Sequence, residues 1–191
     1  MTLDVELTHL RDQVLRKVGR NVVNFQKMEA MLKLLNAQQA VSGSLSDIAR
    51  ISAEASKSVS RQPMGRLADA FVRSVFSNVN PDPREATDGE AISVSFSLII
   101  EATPAVAKER RKALLSVVKE RNKLIHKWLG TFNPNSIESC VQLRDALDEQ
   151  HARIWPEFEM LKSIVLALNE LRRCLTSDEL LIELQEDSNR A

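Results

Sequence analysis

Three observations place this chain in the mainly α class, as a helical bundle of four to six helices with a small β element near residues 91–100. Apolar residues recur at steps of three and four along most of the length. One short stretch alternates with a period of two, and the Pro-, Gly- and Asx-rich segments fall between these stretches. With 191 residues, 43% hydrophobic and 27% charged, the chain is long enough for one sizeable core and has the composition of a globular domain. Residues 1–175 read as one helical domain, and the acidic tail TSDELLIELQEDSNRA at 176–191 is expected to fray.

The first helix is expected from Leu3 to about Gln38, with Leu3, Leu7, Leu10, Val14, Val18, Val22 and Phe25 on its apolar side. Gly19 interrupts it, but a lone glycine costs a helix only about 1 kcal/mol. The serine-rich segment at 42–63 predicts a short helix from Ser46 to Ser58 between loops. Pro63 then opens a helix whose apolar face is Met64, Leu67, Phe71 and Val75. NVNPDPREATDGE, residues 78–90, predicts a loop.

AISVSFSLII, residues 91–100, alternates Ile92, Val94, Phe96 and Leu98 against serines, which predicts a strand with one buried face. A lone strand is unstable, so it requires a partner: residues 75–79, the neighbouring loop, or a second copy of the chain. Thr103 caps a helix with Pro104 at its first position, running to about Leu129, with Gly130 as terminator and Pro134 just beyond. A last helical stretch from Ser136 to about Leu175 is expected to break near Trp155–Pro156.

Basic and acidic residues balance at 26 each, so any attraction for nucleic acid has to be local. Cys140 and Cys174 are far apart, with no Cys or His at metal-ligand spacing; reduced thiols and no metal or cofactor site are expected. The N-terminus MTLDVELTHL is acidic and lacks an apolar h-region, and no run reaches membrane-spanning length, so a cytoplasmic protein is expected.

The chemistry concentrates in ERNKLIHKW, residues 120–128. Leu114, Val118, Ile125 and Trp128 form an apolar stripe with Arg121 in its gap; on the first helix Val18, Val22, Phe25 and Leu32 leave a gap filled by Glu29. A charge facing a core needs a partner, so these two helices are expected to pack and Glu29 to meet Arg121; a structural ion pair or a snorkelling arginine reads from the same pattern. Asn122 and His126, four apart, share a neighbouring face. Arg121 and His126, five apart, lie about 140° from each other on a regular helix, flanking an edge that suits a groove between surfaces. From Lys108 to Lys127 eight basic residues stand against two acidic ones, a local net charge of +6 that would attract a phosphate backbone, although solvated helix faces also carry such charge. His9 and His151 have no comparable company and are expected at the surface.

RNKLIH, residues 121–126, resembles the R-x4-H signature of the HEPN superfamily. GRNVVNFQKMEAMLKLL at 19–35 is similar to the first long helix of that family, and PMGRLADAF at 63–71 to its Leu-Gly-x-Leu segment, with Met64 in place of leucine. Together these cover most of residues 19–129. The resemblance implies a four- or five-helix bundle that dimerises so that two copies of the signature form one composite site. It implies metal-independent RNA cleavage in which a ribose 2′-OH attacks the adjacent phosphate, leaving a 2′,3′-cyclic phosphate and a 5′-OH. In that chemistry His126 takes or gives the proton and Arg121 holds the charge developing on the phosphorane. Asn122 orients the phosphate and Glu29 steers Arg121 from behind, while Lys119, Lys123 and Lys127 bind the RNA. Toxin–antitoxin systems or phage defence, with a cognate antitoxin or regulatory protein as a further partner, fit this reading. The alternative implied by the same family is a catalytically inactive adaptor, dimerisation or nucleotide-binding module.

Overall fold

A computed structural model describes residues 3–38, 40–44, 47–76 and 93–175. Its helices are α1 (Leu3–Ala37), α2 (Ile48–Ser60), α3 (Met64–Val75), α4 (Pro104–Asn122), α5 (Leu129–Thr131) and α6 (Ile137–Leu175), and two strands, β1 (Ala40–Ser44) and β2 (Ser93–Ser97), pair beside them. A π-helical segment, Lys123–Trp128, joins α4 to α5, so residues 104–131 form one continuous rod. The chain is thus a mainly α bundle. Among the described residues no helix is long and apolar enough to cross a membrane.

Among the described residues the two longest helices make the largest contact. α1 lies along α6 and also meets α2 and α3, whereas α4 packs on α3 and α6. Contacts advance together along α1 and α6, Lys17 with Asp148 and Asn24 with His151, so the two run parallel. Those between α4 and α6 run in opposite senses, Arg110 with Glu157 and Glu120 with Arg153, so these helices are antiparallel. Met28, Leu32, Leu35, Leu67, Phe71, Leu114, Leu124, Leu147, Ile154 and Leu161 fill the space between them with no or almost no solvent exposure.

The strand near residues 91–100 is present, and its partner is internal. β2 pairs antiparallel with β1, from Ala40 opposite Ser97 to Ser44 opposite Ser93. β1 lies in a segment that composition marks as loop, because serine and glycine give no alternating apolar signal there. Val75, one of the expected partners, contributes a single bond: its carbonyl accepts from the Ile100 N–H at 2.7 Å. Leu98 and Ile100 pack half-buried against the core. Ile92, the loop at 78–90 and the tail at 176–191 lie outside the described residues.

One expected break is absent, and one helix end falls a residue beyond its expected terminator. The helix expected to end at Gly130 stops at Thr131, one residue beyond it, and no described glycine adopts a positive φ. The rod continues to Thr131, whose hydroxyl donates to the Lys127 carbonyl at 3.0 Å and so supplies a partner for a terminal acceptor. Pro156 lies inside an uninterrupted α6. It removes one ladder bond, but Leu147 and Ile154 before it and Phe158 and Leu161 after it anchor both halves in one core.

The buried face of α1 also differs from the expected one. Leu10, Val14, Phe25, Met28, Leu32 and Leu35 are buried, Val18 and Val22 only partly, and Asn21 sits in the buried series with 0% exposure. Its amide nitrogen donates to the Leu147 carbonyl at 2.9 Å and to Gln150 Oε1 at 3.1 Å, while its oxygen accepts from Arg20 Nε at 3.0 Å. Asn21→Leu leaves the buried Gln150 oxygen without its donor, while the Leu147 carbonyl keeps Arg20 Nη2 at 3.2 Å. It should cost about 1–3 kcal/mol of unfolding free energy in urea titration.

His151, expected at the surface, is half-buried. Its ring lies 5.1 Å from Trp155, which stacks on Phe158, and Nδ1 is 3.4 Å from the Asn24 amide. Burial first, and then the nearby Arg20, hold its pKa below the ordinary value, with Asp148 opposing. The unfolded chain therefore binds more protons than the folded one. This contribution is complete above about pH 6.5 and is lost as the pH falls from there through the depressed folded value. Urea titrations between pH 7.5 and 5 should show wild type weakening and His151→Gln weakening less; parallel curves would exclude this source.

Candidate functional site

The rod that carries ERNKLIHKW starts at a well-formed N-terminus. Thr103 Oγ1 accepts from the Val106 N–H at 3.4 Å, and Pro104 occupies the first turn, where its missing N–H is not needed. The buried stripe is Leu114, Val117 and Leu124, with Trp128 half-buried one turn on. Arg121 does fall in the gap of this stripe and is half-buried. The neighbours it interrupts are Val117 and Leu124, however, whereas Val118 is only partly covered and Ile125 is 37% exposed.

The π segment changes the geometry between Arg121 and His126. The Leu129 N–H bonds to the Leu124 carbonyl, five residues back rather than four. In such a turn residues five apart succeed one another along the axis, so the angle from Arg121 to His126 is smaller than the 140° of a regular helix. Asn122, Lys123, Ile125, His126 and Lys127 are all exposed. One helix segment thus presents an amide, an imidazole and several cations to solvent, with a half-buried guanidinium at its edge.

The expected partnership between Glu29 and Arg121 is not formed. Glu29 Oε1 accepts from Lys33 Nζ at 2.8 Å, one turn along α1 itself. The main contacts of α1 are with α6, α3 and α2 rather than with the α4 rod. Arg121 donates only to its neighbour, Asn122 Oδ1, at 3.4 Å, and among the described residues it forms no ion pair. The positioning role assigned to Glu29 therefore has no contact to act through.

Among the described residues two basic residues near the start of the rod are paired, while Lys108 and Lys112 beside them form no ion pair. Arg110 pairs with Glu157 at 3.4 Å and Arg111 with Asp69. Burial raises the Glu157 carboxyl above its ordinary pKa, with Arg110 pulling it back; Asp69 is lowered, chiefly by its bond to Arg111. Near the π turn, Lys119, Arg121, Lys123 and Lys127 form no ion pair among the described residues, and Lys123 Nζ lies 4.7 Å from the centroid of the Trp128 ring. Glu120 faces inward to Arg153, 3.3 Å away, so it does not neutralise them. A cleft of about 270 Å³ opens beside this cationic end, with Trp128, Thr131, Ser139 and Gln142 in its wall. Among the described residues no three His, Cys, Asp or Glu side chains are grouped so as to hold a metal ion.

Behind the π turn lie residues that the sequence reading passed over. Gln150, fully buried on α6, accepts from Asn21 and donates to Glu120 at both the backbone carbonyl (2.9 Å) and Oε2 (3.1 Å). The available signal was a polar residue interrupting the Leu143, Leu147, Ile154 series on α6, as Asn21 interrupts the series on α1.

An arginine kept for structure should be missed when it is removed; one with no carboxylate partner should not. Arg121→Met keeps the aliphatic stem in the stripe and discards the charge, so stability in urea should stay within about 0.5 kcal/mol or rise. A loss above about 2 kcal/mol would reveal a structural partner for Arg121. No known protein family, curated protein or solved structure matches this chain.

Proposed function

We propose that this protein is a metal-independent endoribonuclease of HEPN type whose site is completed by a second copy of the chain. The observation that carries the reading is Arg121: a half-buried guanidinium without a carboxylate partner among the described residues, beside exposed Asn122 and His126. A half-buried cation with no anion of its own is suited to an anion that arrives from outside. Lys119, Lys123 and Lys127, without an ion pair among the described residues, supply the local field that a neutral chain otherwise lacks, and RNKLIH carries the family resemblance.

The chemistry uses each side chain for what it can do. Imidazole exchanges a proton in the neutral range, so His126 of one copy takes the proton from the ribose 2′-OH as that oxygen attacks the adjacent phosphorus. The 5′ oxygen leaves with a proton supplied by the second copy's imidazole, giving a 2′,3′-cyclic phosphate and a 5′-OH. Arg121 offers a planar fork of donors to the phosphorane oxygens, and Asn122 orients the phosphate. Because the nucleophile is the 2′-OH, DNA is spared.

The test is incubation of the purified protein with mixed RNA, with and without EDTA, followed by end-group analysis. Cleavage should persist in EDTA, leave cyclic phosphate ends and spare DNA. His126→Ala and Arg121→Met should each lower the rate by about 10²–10⁴-fold with the fold intact. Replacing Lys119, Lys123 and Lys127 by glutamine should flatten the salt dependence of RNA binding, by about 0.7 in logarithmic slope for each phosphate contact removed. Light scattering should give a dimer at micromolar concentration. Equal cleavage by wild type and His126→Ala would refute the assignment, and RNA binding without cleavage would favour an adaptor.

A further inference from the structure

We infer that Gln150 is a positioning residue: its amide, oriented by Asn21, occupies the Glu120 carbonyl and thereby holds the π turn that sets His126 against Arg121. The consequence for cleavage rests on the ribonuclease reading; the conformational claim does not.

In a regular α-helix the Glu120 carbonyl is the acceptor for the Leu124 N–H. Here that carbonyl receives two other donors. Gln150 Nε2 bonds to it at 2.9 Å, and the Lys123 N–H is shared between it and the Lys119 carbonyl. A carbonyl oxygen has two lone pairs, so the site is filled where the ladder would continue. The amides that follow reach further back, ending with Leu129 N–H on the Leu124 carbonyl. Insertion of a side chain into the helical ladder is a recognised origin of such distortions.

Gln150 has little freedom to do otherwise. It is fully buried, its oxygen accepts from Asn21 Nδ2 at 3.1 Å, and its nitrogen is divided between the Glu120 carbonyl and Glu120 Oε2. Asn21 is fixed in turn by the Leu147 carbonyl and Arg20, and Glu120 by Arg153. The amide therefore cannot rotate without leaving a buried donor or acceptor unpaired. Helices α1 and α6 thus set the register of a helix segment whose exposed side carries the candidate catalytic groups. Returning the segment to α geometry shifts it by one residue, about 100° of rotation and 1.5 Å of rise, moving His126 relative to Arg121.

The experiment compares crystal structures and RNA cleavage kinetics of wild type and Gln150→Met, which keeps the side-chain length and removes the amide. The expected result is that Leu129 N–H moves from the Leu124 to the Ile125 carbonyl. With it, kcat should fall on the order of 10²-fold while KM changes by less, since Lys119 precedes the segment that moves although Lys127 shifts together with His126. If the single variant does not fold, the pair Asn21→Leu with Gln150→Met replaces both amides by apolar groups and is read in the same way. A π turn that persists in the folded variant overturns the inference. Wild type that cuts no RNA counts against the ribonuclease reading alone, because the backbone bond at Leu129 still decides the role of Gln150.

Discussion

A primary amide buried away from water has to place two donors and an oxygen among its neighbours, and this bundle contains two such amides in contact. Asn21 and Gln150 are both fully buried, and between them they engage the Leu147 carbonyl, Arg20, Glu120 and each other. Apolar packing between long helices tolerates sliding by a turn. A pair of amides with fixed partners does not, because each wrong register strands a polar atom at a cost of about 1–3 kcal/mol. The parallel seating of α1 on α6 and the antiparallel seating of α4 on α6 both pass through this cluster. The Arg20 and Lys17 pairs with Asp148 continue it to the surface.

The same constraint shapes the site from behind. Because Gln150 and Arg153 hold Glu120 inward, the acidic residue of ERNKLIHKW is removed from the face that presents Asn122, Lys123, His126 and Lys127. Ion pairs on the first half of the α4 rod consume Arg110 and Arg111. Two of the basic residues near the start of the segment are thus tied up in ion pairs. Among the described residues Lys108, Lys112 and the cations around the π turn form none, and the candidate site lies among the last group. Spacing along the chain alone does not reveal this division, since it depends on where Glu157 of α6 and Asp69 of α3 come to lie.

Arg121 and Glu29 mark the point at which sequence pattern stops being enough. Arg121 occupies a gap in an apolar stripe because steps of three and four locate a buried face to within one residue. That margin decided the rest: Val117 and Leu124, rather than Val118 and Ile125, are the buried neighbours, and the widened turn moves the positions after Asn122. Two charges in two gaps suggested a pair. Whether they meet depends on which helices are adjacent, and here α1 and α4 each turn to α3 and α6 instead.

From the sequence alone follow the helical class, the long first and last helices, a strand within residues 91–100, the Thr103–Pro104 start and the cationic segment around His126. These are local: each rests on periodicity, capping chemistry or charge within a few residues. The tertiary structure decided the pairing of β2 with β1, the continuity of α6 through Pro156, the pairing of Glu29 with Lys33 and the π turn. Each of these depends on partners distant in sequence, a Ser-Gly strand with no apolar signal, a core gripping both sides of a proline, and an amide about 30 residues away entering the ladder at Glu120. Such partners are selected by the burial of the whole bundle, a quantity that no window of the chain contains.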